Sequence, residues 1–223
     1  MLLATRRPSG LPSLRGRRLT RRLVQLYAGL ALYGASMALL VRSTLGVTPW
    51  DVLHQGLGHH LGWSLGTAAI VVGAVVLLAW IPLRQRPGLG TVSNVVVIGL
   101  AVDATLAALP VPSALVARVG LVVAGVLLNA VATAAYIGVH LGPGPRDGLM
   151  TGLVRRTGRS VRLVRTSIEA TVVLAGWLLG GTLGVATVVY ALAIGPLVHV
   201  LLPRLSLGVA HVVTPADARR PPD

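Results

Sequence analysis

The chain contains six long apolar runs, which are separated by short polar segments. About 20 consecutive apolar residues cross the hydrocarbon core of a bilayer as an α-helix. Because each run approaches or reaches that length, the pattern predicts an all-α membrane protein with six transmembrane helices. The runs cover approximately residues 23–41, 64–83, 92–109, 119–139, 163–181 and 184–202.

Composition also points to a chain that lies in a lipid bilayer. Of the 223 residues, 54% are hydrophobic and 12% are charged, and the mean hydropathy is +0.78. Soluble domains contain about 25% charged residues, so this chain cannot supply the exterior of a soluble protein of its size. It contains no cysteine, which excludes disulfides, thiolate metal sites and cysteine nucleophiles.

The positive charge predicts an orientation. The formal net charge is +14, and all 20 basic residues are arginines, clustered between the apolar runs. With the N-terminus inside the cell, 18 arginines lie on the inner side, and only Arg42 and Arg118 lie outside. The positive-inside rule therefore favours six spans in a bacterial cytoplasmic (inner) membrane, with both termini cytoplasmic. Nucleic-acid binding is not expected, because no recognised module or aromatic-basic platform accompanies the charge.

The segment from Thr20, "TRRLVQL", faintly resembles a twin-arginine secretion signal. The apolar run that follows is long for a signal peptide and lacks a persuasive cleavage context. We therefore interpret it as the first transmembrane helix.

One motif occurs twice, 96 positions apart. The pattern L-G-x-x-P-x-D-x-L-x-x-G-L begins at Leu45 and again at Leu141, and nine of twenty positions are identical between 45–64 and 141–160. Each copy belongs to a unit of three apolar runs. An odd number of spans inverts the second unit relative to the first, which predicts two inverted three-helix repeats. The predicted divisions are a basic disordered tail (1–21), two repeats (22–110 and 111–204) and a disordered C-terminal tail (205–223).

Each copy of the motif predicts the start of a short helix. The residue before the proline is the expected N-cap, the proline takes the first helical position, and the aspartate lies in the first turn, where it meets free N–H groups. The short helix should end near Gly62 or Gly158. The alternative is a gate or half-helix that dips into the membrane and points its dipole at a substrate. The motif residues are Pro49, Asp51, Pro145 and Asp147.

The positions that differ between the copies suggest opposite sides of the membrane. The first copy carries aromatic and histidine residues suited to an outer interface, whereas arginines that hold the segment inside replace four of them in the second. The first set is Trp50, His54, His59, His60 and Trp63, and the arginines are Arg146, Arg155, Arg156 and Arg159. The three histidines do not share one helical face, so we predict no metal site.

The six-run layout, the paired motif, "GLGT" at Gly88–Thr91 and "AIGPLVHVLLP" from Ala193 resemble the YczE-type bacterial integral membrane proteins, which are relatives of the YitT-like membrane proteins. The resemblance covers about residues 22–204. It implies a membrane protein in which transport is suspected without an agreed substrate, and it assigns the motif residues no established role. Family members commonly have G-P-x-x-D at the end of the third span. This chain lacks that proline between Gly99 and Asp103, so a hinge there is in doubt.

Ionisable residues inside apolar runs are candidates for function, because they are costly in a bilayer. Asp103, Glu169 and His199 are therefore candidate substrate- or proton-binding residues. His199 occupies the place in the second repeat that Asp103 holds in the first, so proton coupling is conceivable. Each has a structural alternative: an ion pair of Glu169 with Arg165, an ion pair of Asp103 with an outer-side arginine, and an interfacial position for His199.

These features predict a small transporter or permease with a substrate site between the repeats. The alternative is a non-transporting assembly or regulatory protein that acts through its basic inner loop. A membrane-embedded enzyme is disfavoured, because no catalytic constellation is present, and no cofactor or metal is expected. The expected partners are the lipid bilayer, anionic lipid at the arginine-rich loops and an unidentified small molecule. Self-association is left open.

Overall fold

A computed structural model describes the backbone of residues 12–207 and the side chains of residues 19–207. All regular secondary structure in this part of the chain is helical, which confirms the all-α prediction. The helices are α1 Pro12–Ser43, α2 Pro49–Leu61, α3 Leu65–Trp80, α4 Leu89–Ala108, α5 Leu115–Ile137, α6 Pro145–Thr157, α7 Val161–Leu178 and α8 Val185–Leu205. The C-terminal tail predicted from 205 lies outside the described residues from position 208 onward.

Four of these helices are long and apolar enough to cross a membrane: α1 over Leu19–Ser43, α4, α5 and α8. The pair α2 and α3 forms a fifth candidate, but it is bent by 111°. The predicted fifth span corresponds to α7, which carries Arg162, Arg165 and Glu169 within 18 residues. Helix α1 begins at Pro12, so it includes residues 12–21, which the sequence assigns to the N-terminal tail.

The helix boundaries repeat with the spacing of the motif. Helices α2, α3 and α4 begin at residues 49, 65 and 89, and helices α6, α7 and α8 each begin 96 residues later, at 145, 161 and 185. Each half of the chain therefore contains four helices, of which the second is short. The prediction of a short helix after each proline is confirmed.

Local chemistry explains where the short helices begin and end. Pro49 and Pro145 occupy the first turn, where a missing N–H breaks no helical bond. The Thr48 hydroxyl caps α2 by accepting the Asp51 N–H at 3.4 Å. The C-caps, Gly62 and Gly158, have φ of 67° and 65°. That left-handed conformation favours glycine, because a side chain would be strained there.

Hydrogen bonds between helix ends define the direction of each long helix. Near the start of the apolar part of α1, Leu19–Ser43, the Gln25 amide donates to the carbonyls of Ala135 at 3.0 Å and Leu205 at 2.6 Å, which lie near the ends of α5 and α8. Beyond the other end of α1, Arg118 in the first turn of α5 donates to the Ser43 carbonyl at 2.8 Å. Helix α1 therefore runs antiparallel to α5 and α8.

Helix α4 runs parallel to α1. Arg42 near the end of α1 donates to the Leu106 carbonyl near the end of α4. At the start of α4, the Gly90 N–H donates to the Leu141 carbonyl, just beyond the end of α5, at 2.8 Å. The bundle thus has an arginine-rich end, which we define by Arg22, Arg84, Arg155 and Arg204, and an opposite end, which we define by Arg42 and Arg118.

The two halves exchange their short helices. Helix α2 packs more extensively against α7 than against α3, and α6 packs more extensively against α3 than against α7. At the first contact, a Cβ on Gly176 would lie 2.3 Å from the Leu53 nitrogen. At the second, a Cβ on Gly148 would lie 1.9 Å from the Trp80 ring, whose indole N–H donates to the Pro145 carbonyl at 3.0 Å. The core is therefore shared between the halves, with little room at either contact.

The halves differ most in the contact between their last two helices. Helix α3 packs along α4, whereas α7 and α8 have no comparable packing within the described chain. A Cβ on Gly99 of α4 would lie 2.5 Å from the Ile70 side chain. The equivalent Gly195 of α8 faces open space. A gap therefore separates α7 from α8, where α3 and α4 are in contact.

Candidate functional site

A central cavity of about 430 Å³ is bounded by side chains from all eight helices. Small-molecule sites in proteins have volumes of about 300–1,000 Å³. The wall is largely apolar and aromatic, which is also typical of such sites. Its charged side chains are Arg146, Asp147, Arg165 and Glu169.

The two halves contribute equivalent walls to this cavity. Ten pairs of lining residues are separated by 96 positions, so most of the lining follows the internal repeat. The pairs are Met37/Thr133, Pro49/Pro145, Trp50/Arg146, His54/Met150, Ala69/Arg165, Val72/Ile168, Gly73/Glu169, Asn94/Tyr190, Val95/Ala191 and Ile98/Ile194.

The cavity also extends toward the arginine-rich end. Val198, His199 and Leu202, on the last turns of α8, line it. Asp103 on α4 is the counterpart of His199 at the opposite end, and it does not line the cavity. The exposed His199 side chain and the gap between α7 and α8 mark the open part of the wall.

Trp50 and Arg146 meet at the cavity wall. The guanidinium carbon of Arg146 lies 4.7 Å from the centroid of the Trp50 ring, within the range of a cation–π contact. Trp50 is 7% exposed and His54 is 2% exposed. The prediction that these two residues face an outer interface is therefore wrong, because α2 packs into the core through the face that carries them. His59 and His60 are exposed.

The two motif aspartates take different positions. Asp51 is fully buried behind the wall, where its carboxylate accepts the Thr48 hydroxyl at 2.7 Å and lies 2.9 Å from the His54 Nδ1 atom. Asp147 lines the cavity and accepts the Tyr136 hydroxyl at 3.3 Å. Both aspartates lie in the first turn of a short helix, as predicted, and only Asp147 reaches the cavity.

The carboxylate of Asp103, a residue of α4, lies at the N-terminus of α3, outside the cavity. Its carboxylate accepts the Ser64 hydroxyl at 2.5 Å and the Gly66 N–H at 2.8 Å. The alternative of an ion pair with an outer-side arginine is wrong, because Arg42 and Arg118 donate to backbone carbonyls instead. A substrate- or proton-binding role for Asp103 stays a prediction.

Glu169 and His199 both line the cavity. The Glu169 carboxylate accepts the Arg165 Nε–H at 2.9 Å, which confirms the predicted ion pair. His199 lies toward the arginine-rich end and Asp103 toward the opposite end, so the structure does not bring that acid and base together. Among the described residues, no cluster of three histidine, aspartate or glutamate side chains is arranged to hold a metal ion.

Several residues of the site were not predicted from the sequence. Arg146 was assigned only to holding its segment on the inner side of the membrane. Tyr190, also in the wall, donates its hydroxyl to the Asn129 side-chain carbonyl at 2.8 Å, and the Asn129 amide donates to Ser36 at 2.7 Å. One signal for Arg146 was present, since an arginine replaces Trp50 at the same position of a repeated motif.

Comparisons with known proteins agree with the resemblance seen in the sequence. The model of a family of unknown function, DUF6198, matches residues 20–203. An uncharacterised protein of Haemophilus influenzae is 42% identical over 177 residues, covering 79% of this chain and 81% of that protein. The uncharacterised membrane protein YczE of Bacillus subtilis is 32% identical over 180 residues, covering 80% of this chain and 84% of that protein. No solved structure matches.

Proposed function

This chain belongs to the family of unknown function DUF6198, and from that premise we propose that it is a small transporter or permease of the bacterial inner membrane. Its substrate occupies the central cavity. The observation that carries the proposal is the cavity itself, which both halves line with equivalent residues. Transporters built from internal repeats commonly bind their substrate at the interface between the repeats.

The architecture of this proposal is six spans in two inverted repeats. Two observations support it. First, α1 and α5, the first helices of the two halves, are antiparallel to each other. The last helices of the two halves, α4 and α8, are also antiparallel. Second, two residues exchanged by a two-fold axis can touch each other only near that axis, and Trp50 and Arg146 do. The cavity then lies on the axis, near the bilayer midplane.

The unequal packing of the halves supports alternating access. The α3–α4 contact closes the opposite end, whereas the gap between α7 and α8 leaves the cavity accessible near the arginine-rich end. Two conformations of one repeated unit thus coexist in the chain. If the halves exchange these conformations, access moves to the other side of the membrane without a change in the site.

Orientation follows from charge. We place the arginine-rich end and both termini in the cytoplasm, where the arginines contact anionic lipid. Because the chain has no cysteine, single cysteines report the side directly. In whole cells, an impermeant maleimide should label His59→Cys, which is exposed at the end of α2, and should not label Arg155→Cys. Labelling of both variants would contradict the inverted arrangement.

Alternating access is testable before a substrate is known. Ala191 lines the cavity, and its neighbour Leu192 is 73% exposed on the outer surface of α8. In vesicles of both orientations, Ala191→Cys should react with the maleimide, faster from the arginine-rich side. Leu192→Cys, buried in lipid, should react from neither side. Reaction of Ala191→Cys from the arginine-rich side alone would refute transport and leave a static membrane protein.

A further inference from the structure

We infer that the central cavity binds a small organic anion, whose acidic group pairs with Arg146 and whose apolar part lies against the aromatic and aliphatic wall. This inference rests on the proposed function and names the substrate class for that site.

The first observation is the state of the Arg146 side chain. Its guanidinium carbon lies over the Trp50 ring, 4.7 Å from the ring centroid, and with five N–H donors the guanidinium keeps donors available beyond this cation–π contact. Within the described chain, Arg146 makes no hydrogen bond and no ion pair, although it is half-buried at the cavity wall. A charge in such a place calls for a partner, because burial without one is unfavourable.

The second observation is that the other charged groups of the wall already have partners. Glu169 and Arg165 bind each other at 2.9 Å. The Asp147 carboxylate accepts the Tyr136 hydroxyl. Its charge attracts the neighbouring Arg146 guanidinium, but the two side chains form no hydrogen bond or ion pair within the described chain. The guanidinium is thus the charged group of the wall left without a hydrogen-bonding partner. A carboxylate matches its geometry, since Arg donates two parallel hydrogen bonds to one.

The third observation concerns the rest of the ligand. Beyond the polar groups, aliphatic and aromatic side chains line the cavity, among them Met37, Val76, Ile98, Tyr33 and Tyr190. Such a wall favours an apolar body over a sugar or another polyhydroxylated molecule, whose hydroxyls would lose hydrogen bonds to water. The expected ligand is therefore amphipathic, with one anionic group and a short apolar or aromatic portion.

Benzoate is a suitable probe, with benzamide and benzylamine as its neutral and cationic analogues. Equilibrium dialysis of the purified full chain in detergent with labelled benzoate should show saturable binding that unlabelled benzoate competes and the two analogues do not. Arg146→Gln should weaken benzoate binding by at least about tenfold, as expected for losing one charge-assisted hydrogen-bonded pair. Arg155→Gln is the matched control, since that arginine lies on the same helix outside the cavity.

Arg146→Lys keeps the charge and loses the planar fork, so its affinity should fall between those of the parent and the glutamine variant. Arg146→Lys also provides the test of the side chain if Arg146→Gln does not fold. Equal competition by benzamide, or unchanged benzoate binding in both Arg146 variants, would overturn the inference. Labelling of Ala191→Cys from both sides tests the proposed function independently of benzoate binding. Selective benzoate binding without labelling from both sides would therefore contradict transport and leave the anion site standing.

The anionic group can come from a soluble molecule or from a lipid headgroup, and nanodiscs distinguish the two sources. If phosphatidylglycerol weakens benzoate binding in the parent relative to pure phosphatidylcholine, the headgroup competes for Arg146. If benzoate binding is the same in both lipids, a soluble anion is the ligand.

Discussion

Replacing Asp103 by Asn should loosen the closure of the opposite end. The parent carboxylate accepts the Gly66 N–H at 2.8 Å and the Ser64 hydroxyl at 2.5 Å, and thereby joins α4 to the first turn of α3. Asn has nearly the same shape and can still accept the N–H. It removes the negative charge that strengthens both bonds and that the N-terminal end of the α3 dipole favours.

The size of the effect follows from those contacts. Hydrogen bonds to charged groups contribute about 1.5–3 kcal/mol and neutral ones about 0.5–1.5 kcal/mol. Loss of the charge therefore weakens the Gly66 bond by about 1 kcal/mol. The Ser64 bond adds less, because it is exposed and water screens it. A total of about 1–2 kcal/mol corresponds to an opening equilibrium shifted about 5- to 30-fold.

The assay is the rate at which an impermeant maleimide, added from the opposite side, labels a cysteine at Ala191 in the cavity. The expected result is a rate increased about 5- to 30-fold in Asp103→Asn, with the rate from the arginine-rich side unchanged. Thr105→Val is a matched control on α4, because the Thr105 hydroxyl donates only to the Ala101 carbonyl of its own helix. An unchanged rate in Asp103→Asn would show that this contact does not hold the closure.

Two further substitutions test the packing. Gly148→Ala should lower the thermal unfolding temperature in detergent strongly, because its Cβ would lie 1.9 Å from the Trp80 ring and overpacking costs about 1–3 kcal/mol or more. Gly62→Ala meets no atom within 4 Å and should cost only about 1 kcal/mol of backbone strain; equal losses would refute the stated contact. Thr48→Ala should cost about 1 kcal/mol through the lost cap of α2, and an unchanged unfolding temperature would show that Asp51 alone suffices.

Helix starts were predictable from the sequence because their causes are local. The proline, the aspartate and the capping residue lie within four positions of each other, and they determine where α2 and α6 begin. The Glu169–Arg165 pair was predictable for the same reason, since its members are one helical turn apart.

A site between the repeats was predicted, but the residues that line the cavity and the partners of Asp103 could not be, because they depend on contacts distant in sequence. Ser64 lies 39 positions from Asp103, and α2 packs on α7, which begins 100 residues after α2 ends. Trp50 was misplaced because its neighbours in sequence suggested a membrane interface. Its environment is instead set by α6, which places Arg146 over its ring.

The exchange of short helices between the halves has a consequence for biosynthesis. Helix α2 ends at Leu61, and its packing partner α7 begins at Val161, so the ribosome must add 100 residues before the two can meet. At about 5–20 residues per second, α2 waits about 5–20 s for its partner. During that interval Trp50 can meet only the α3 members of its core cluster, Val76 and Trp80, and Gly56 lacks its neighbours Gly176 and Leu179. Completion of the second half is therefore the step at which the first half acquires its final packing.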